Sequence, residues 1–134
     1  MEIVYQLTSD NVCELHQLYQ NEWWTKGRTL KETQQCVDGS QICIGLVDAN
    51  DELKGFARVL TDYIFKALIF DVIVSPQYRG QGLGDKLVKL IKQHPELTQV
   101  KGFELYCLPE LEGFYKGHDF STDVGEINLM RCTN

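Results

Sequence analysis

No apolar run in this sequence approaches the ~18 residues of a membrane-spanning helix, which excludes a membrane span of that kind. The chain opens Met1-Glu2 without a basic and then apolar leader, so export is not expected and a cytoplasmic location is. Basic residues are scarce: 13 Lys and Arg stand against 19 Asp and Glu, a net charge of −6. A general nucleic-acid binder would carry a basic face, so that class is set aside. The acidic balance would suit a cationic partner, although such a surface also simply keeps a protein soluble. The five cysteines, at 13, 36, 43, 107 and 132, are odd in number and contain no C-x-x-C pair. They read as reduced thiols, neither a disulfide frame nor a zinc site. His16, His94 and His118 lack metal-ligand spacing, so no metal is expected, and repeats, low-complexity tracts and linkers are missing too.

What remains is 134 residues with 43% hydrophobic and 24% charged composition, ordinary for one globular domain spanning 1–134. Ile3, Tyr5 and Leu7 alternate with polar residues as a short strand. Thr8-Ser9-Asp10 offers N-caps for a helix to about Gln20, with Val12, Leu15, Leu18 and Tyr19 facing inward. A break with Trp23-Trp24 follows, and Thr29-Leu30-Lys31-Glu32 has capping-box spacing for a weaker helix ending near Asp38-Gly39. Gln41 to Val47 and Leu53 to Thr61 read as an antiparallel hairpin around Asp48–Asp51. Lys66 to Val74 is a central strand, and a helix follows to about Gln93, stopped by His94-Pro95. Phe103 to Cys107 is a strand brought parallel by the right-handed crossover. Leu111 to Lys116 is a short helix, and Ile127 to Cys132 a closing strand. The class is therefore α/β (α+β): a mixed, mostly antiparallel sheet with one parallel pair.

The chemistry concentrates in Pro76-Gln77-Tyr78-Arg79-Gly80-Gln81-Gly82-Leu83-Gly84, between a buried strand and an amphipathic helix. Glycines let successive N–H groups converge, and the helix N-terminus adds free donors and its positive dipole end, an arrangement suited to phosphate. A Walker loop would need a Lys-Ser/Thr that is absent here, and Gly80-x-Gly82-x-Gly84 departs from the dinucleotide spacing G-x-G-x-x-G. Arg79 to Gly84 instead fits [Q/R]-x-x-G-x-[G/A], preceded by Val74-Ser75-Pro76 and followed downstream by Phe114-Tyr115. With these residues the chain resembles the GNAT superfamily of N-acetyltransferases, most sharply from about residue 55 to 120. The expected element order, β-α-α-β-β-β-α-β-α-β, is also that of the GNAT fold, with helices on both faces of the sheet.

The resemblance implies acetyl-CoA as cosubstrate and no metal. Its pantetheine would lie between splayed parallel strands, pairing with backbone of Val72, Ile73 and Val74. N–H groups from Arg79, Gly80, Gln81, Gly82, Leu83 and Gly84 would hold the diphosphate. Tyr115 matches the family tyrosine that protonates the departing thiolate, within Phe114-Tyr115-Lys116-Gly117-His118-Asp119-Phe120; Asp119 stands where glycine is usual. The alternative for Tyr115 is a packing tyrosine. Asp71, alone in an apolar run, either binds and deprotonates the amine or pairs with a structural basic or hydroxyl partner. Trp23 and Trp24 would wall the acceptor site, unless one of them plugs the core. The implied reaction is direct attack by a primary amine, with a small-molecule acceptor preferred. A Cys107 acyl-enzyme is disfavoured for want of a histidine partner. The rivals are a protein acetyltransferase of the same fold and a non-catalytic acyl-CoA-binding module. Nucleic acid and membrane are not expected as partners, and a homodimer is left open.

Overall fold

Thr8 and Thr29 each start a helix by the same device. The Thr8 hydroxyl accepts from Asn11 N–H at 3.1 Å while Asn11 Oδ1 accepts from Thr8 N–H at 3.2 Å. Thr29 and Glu32 repeat this reciprocal box at 3.0 and 2.9 Å, as their spacing leads one to expect. These caps begin α1 (Ser9–Gln20) and α2 (Leu30–Asp38) in the computed structural model, which describes residues 1–134. Five strands accompany them: β1 (Glu2–Val4), β2 (Ile42–Val47), β3 (Leu53–Thr61), β4 (Lys66–Val74) and β5 (Gly102–Leu105). Two further helices, α3 (Leu83–Lys92) and α4 (Glu112–Lys116), follow β4 and β5.

The sheet order is β1-β2-β3-β4-β5, antiparallel throughout except for the parallel β4–β5 pair that the α3 crossover imposes. Every residue of β2 is buried, because helices cover both faces of the sheet. Ile42, Ile44 and Leu46 meet Leu83, Leu87 and Ile91 of α3 on one face. Cys43 and Val47, pointing the other way, join Leu15, Leu18 and Tyr19 of α1 together with Phe56 and Ile73. Period-2 strands thus feed two separate cores.

The expected closing strand over Ile127–Cys132 does not form. Residues after 120 adopt no helix or strand, and Ile127, Leu129 and Met130 are 73%, 63% and 90% exposed. The segment carries apolar residues, but a strand also needs a ladder partner. A cleft of about 540 Å³, lined by Phe103, Leu105, Tyr115 and Phe120, opens between β5 and the tail's Val124 and Leu129. Strand ends also differ from the expected ones. β1 stops at Val4 and β5 at Leu105, leaving Cys107 outside the sheet.

One glycine in the sheet is required by packing. A Cβ on Gly45 would stand 2.8 Å from Val4 Cγ2 and 2.9 Å from Leu53 Cδ1. Gly45→Ala is therefore expected to lower unfolding stability by about 1–3 kcal/mol, despite alanine's usual entropic advantage. Urea denaturation checks this; an unchanged midpoint would mean that β1 yields freely.

Candidate active site

Between β4 and α3 the backbone turns through a short 3-10 segment, Pro76–Tyr78, and then through two left-handed glycines. Gly80 has φ +77° and Gly82, the N-cap of α3, φ +81°, conformations that other residues adopt at a cost. The first bond of the helix ladder runs from Lys86 N–H to Gly82 O. The N–H groups of Gly80 through Asp85 consequently donate to nothing in the protein: six consecutive free donors at a helix N-terminus. A diphosphate is the chemistry that such a cradle suits. Arg79 lies just outside the row, since its own N–H bonds to Pro76 O at 3.4 Å. Its guanidinium bonds to Val74 O at 3.4 Å and pairs with Glu22, a residue not singled out from the sequence.

Upstream, β4 loses its parallel neighbour. The β4–β5 ladder runs from Lys66↔Gly102 to Ile69↔Leu105 and stops there. Val72, Ile73 and Val74 keep β3 on one side and face a cleft of about 590 Å³ on the other. The glycine turn, Phe114, Tyr115, Glu22 and Trp24 line the same cleft. Of the expected site residues, the structure thus brings together Val72–Val74, Arg79, Gly80, Gly82, Leu83, Gly84, Trp24 and Tyr115. Gln81 adds its N–H to the free row, with the side chain directed to solvent. Trp23 lies outside the lining, 72% exposed, and neither tryptophan plugs the core.

Tyr115 is buried, its ring edge-on to Phe114 and Phe120. Its hydroxyl has no hydrogen-bond partner in the protein, yet it belongs to the cleft lining. Burial, with the neighbouring Cys107, pushes the phenol up to about 12, so it stays protonated through the neutral range. The Phe114-to-Phe120 turn holds because Asp119 takes the left-handed conformation, φ +70°. His118 is buried, its Nε2 3.0 Å from Asp85 Oδ1, and His94 caps a turn through Nδ1 to Glu96 N–H. Cys107 is exposed, and burial together with Glu112 raises its pKa, which works against a thiolate nucleophile. No group of three His, Cys, Asp or Glu side chains is placed to hold a metal.

Asp71 is absent from the cleft lining; it occupies a bulge beneath it. Phe56 pairs with Ile73 and Arg58 with Phe70, so Asp71 and Val72 together oppose Ala57. Asp71 has φ +57°, and its side chain is 4% exposed. It accepts from Arg58 Nε at 2.7 Å, Arg28 Nη1 at 2.8 Å and Tyr19 Oη at 2.9 Å. Burial alone would raise its pKa, but the hydrogen bonds and charges of Arg28 and Arg58 outweigh burial and hold the carboxyl below its usual range. Of the two expectations for Asp71, the arrangement is that of a group paired with basic and hydroxyl partners.

That cluster reaches the acceptor-side loop. Arg28 ends the 21–28 turn and lies 4.6 Å over the Tyr19 ring. Thr25 Oγ1 donates to Tyr19 O at 2.7 Å, and Gln20 Nε2 to Arg28 O at 3.0 Å. Arg58 had a signal in the sequence: it is the one charge inside the middle of β3, as Asp71 is in β4. Two opposite lone charges on neighbouring apolar strands imply a buried pair. Arg28 and Glu22, in irregular chain, carried no such signal.

Residues 9–120 match the family model described as acetyltransferase (GNAT) family. The chain is 35% identical over 123 residues to N-acetyltransferase ycf52 of the alga Pyropia yezoensis, itself uncharacterized, covering 90% of this chain and 70% of that one. A GNAT-family protein from Xanthomonas campestris superposes with a TM-score of 0.84 at 27% identity, across 99% of this chain and 92% of its own. An aminoglycoside 6′-N-acetyltransferase complexed with coenzyme A gives 0.59 at 19% identity, over 69% of this chain and 53% of its own, a likeness of fold.

Asp71→Asn keeps the shape and the tolerance for left-handed backbone but leaves two arginines facing a neutral amide. It is expected to cost about 2–4 kcal/mol in urea denaturation. The folded pKa is depressed, so the difference between wild type and variant should be full above pH ~4, where the unfolded carboxyl is ionised. It should shrink as pH falls further and Asp71 itself protonates. A difference independent of pH down to acid denaturation would contradict this.

Proposed function

Because the chain belongs to the acetyltransferase (GNAT) family and is an N-acetyltransferase, we propose that it moves an acetyl group from acetyl-CoA to a primary amine of a small molecule, by direct attack in a ternary complex. The observation that carries this reading is the continuity of free main chain along one cleft. The unpartnered side of Val72–Val74 leads into six unbonded N–H groups at Gly80–Asp85, and Tyr115 lines the same cleft.

Acetyl-CoA, when bound, supplies a thioester whose C–S bond breaks as the new C–N bond forms; one amine proton ends in solvent and the sulfur gains one. Backbone of Val72–Val74 orients the extended pantetheine arm, and the glycine turn with the α3 N-terminus anchors its diphosphate. Tyr115, kept neutral by burial, donates its proton toward the departing sulfur and is reprotonated from the open cleft. Asp71 takes no proton in this reading. Already accepting from two guanidinium groups and a phenol, it is a weak base, and it serves to fix the bulge and the 21–28 turn. Amine deprotonation then falls to water in the cleft. The small-molecule preference rests on Trp24 in the cleft lining. The scattered free thiols suit a reducing compartment such as the cytoplasm.

Calorimetry should detect coenzyme A uptake, and a panel of primary amines with acetyl-CoA should release free thiol. Tyr115→Phe is expected to lower kcat by about 10²-fold with coenzyme affinity unchanged. In wild type, no loss of rate assignable to Tyr115 should occur between pH 7 and about 10. A full-rate phenylalanine variant would remove Tyr115 from the chemistry and leave it as packing.

A further inference from the structure

Glu22 is placed to serve two sites in turn. Its backbone is fixed where α1 ends: its N–H bonds to Tyr19 O at 3.4 Å, and its carbonyl accepts from Thr25 and Lys26 N–H at 3.2 and 2.7 Å. From that anchor its carboxylate lines the acceptor cleft beside Trp24, 20% exposed, and pairs across the cleft with Arg79. Arg79 is the residue at the entry of the diphosphate cradle, and its guanidinium is 53% exposed. The cation nearest the phosphate turn is thus held by an acid belonging to the acceptor loop.

We propose that Glu22 is the carboxylate that binds the cationic amine, and that it becomes free for this when the coenzyme's diphosphate takes over Arg79. This rests on the function proposed above. Without coenzyme, Glu22 and Arg79 satisfy one another. The diphosphate brings more charge than one carboxylate and is also met by six N–H donors, so it competes well for the guanidinium. Released, Glu22 has no other basic partner in the cleft lining; the lining holds only Arg79 as a cation. An acceptor arriving as its ammonium ion supplies the missing charge, with the Trp24 face alongside. One ion pair is exchanged for two, so each ligand strengthens binding of the other, reciprocally. The acceptor class that follows is an amine entering the cleft in its protonated form, with no carboxylate next to the nitrogen, since a neighbouring negative charge would meet Glu22 unfavourably.

The test compares wild type with Glu22→Gln, with Glu22→Asp as the charge-preserving control and thermal melting to establish that each is folded. Coenzyme A titrated by calorimetry should bind Glu22→Gln about two- to fivefold more tightly than wild type, because the internal competitor is lost. In the thiol-release assay the KM for the amine should rise at least about tenfold in Glu22→Gln and recover in Glu22→Asp. A Glu22→Gln variant that binds coenzyme A no more tightly than wild type, or whose amine KM is unmoved, overturns the exchange while leaving the transferase reading in place. Wild-type protein that takes up no coenzyme A at all instead overturns the transferase reading, and this inference with it.

Discussion

A carboxylate in left-handed backbone, gripped by two arginines and a tyrosine, sits where β4 parts from β5, and the usable geometry of the cleft descends from it. The bulge at Asp71-Val72 inserts one residue against Ala57 and re-aims the rest of β4. The last parallel pair, Ile69↔Leu105, is two residues earlier. Beyond it Val72–Val74 run along the cleft with nothing on their outer side. Burying three charges is costly, and such a cluster often adds little net stability. Its return is geometric: α1, the 21–28 turn, β3 and β4 are all referred to one oxygen pair.

The two halves of the cleft are held by different kinds of force. The side with the free N–H groups is main chain on a helix whose apolar face, Leu83, Leu87 and Ile91, is locked into the sheet. The opposite side is a turn stapled by side-chain hydrogen bonds from Thr25, Gln20 and Arg28. Packing makes the first rigid, whereas the second can reorganise by exchanging polar partners. Tyr115 lines the cleft as well, its ring fixed by Phe114 and Phe120. Of the rival readings, a binding module without catalysis would gain if Asp71 and Tyr115 both pointed away from the thioester; Asp71 lies outside the cleft lining, whereas Tyr115 is part of it.

Most of the fold could be read from the residues because its signals are local. The N-cap at Thr8, the capping box at Thr29, the turn residues Asp48–Asp51 between two apolar runs, and the proline after His94 each act within a few positions. The glycine turn was legible for the same reason, since its function lies in backbone conformation that Gly80 and Gly82 announce. What could not be read depends on meeting at a distance. Ile127–Cys132 carries apolar residues, but a strand there would need a ladder partner from elsewhere in the chain. Arg28 and Asp71 are 43 residues apart, and nothing near Arg28 indicates its partner. Glu22 likewise meets Arg79 only once α1 is docked.

A cradle made of peptide groups frees its side chains from the task. Gly80 and Gly82 are constrained by their torsions, whereas a Cβ added at Gly84 would meet Phe114 Cζ at 3.5 Å, an ordinary contact. Gln81, by contrast, is exposed and lends the site nothing but its amide. In the function proposed above, the coenzyme grip is written in conformation more than in residue identity. Position 81 becomes a natural handle where a reporter dye or a crosslinker could be attached beside the free donors while the donors stay as they are.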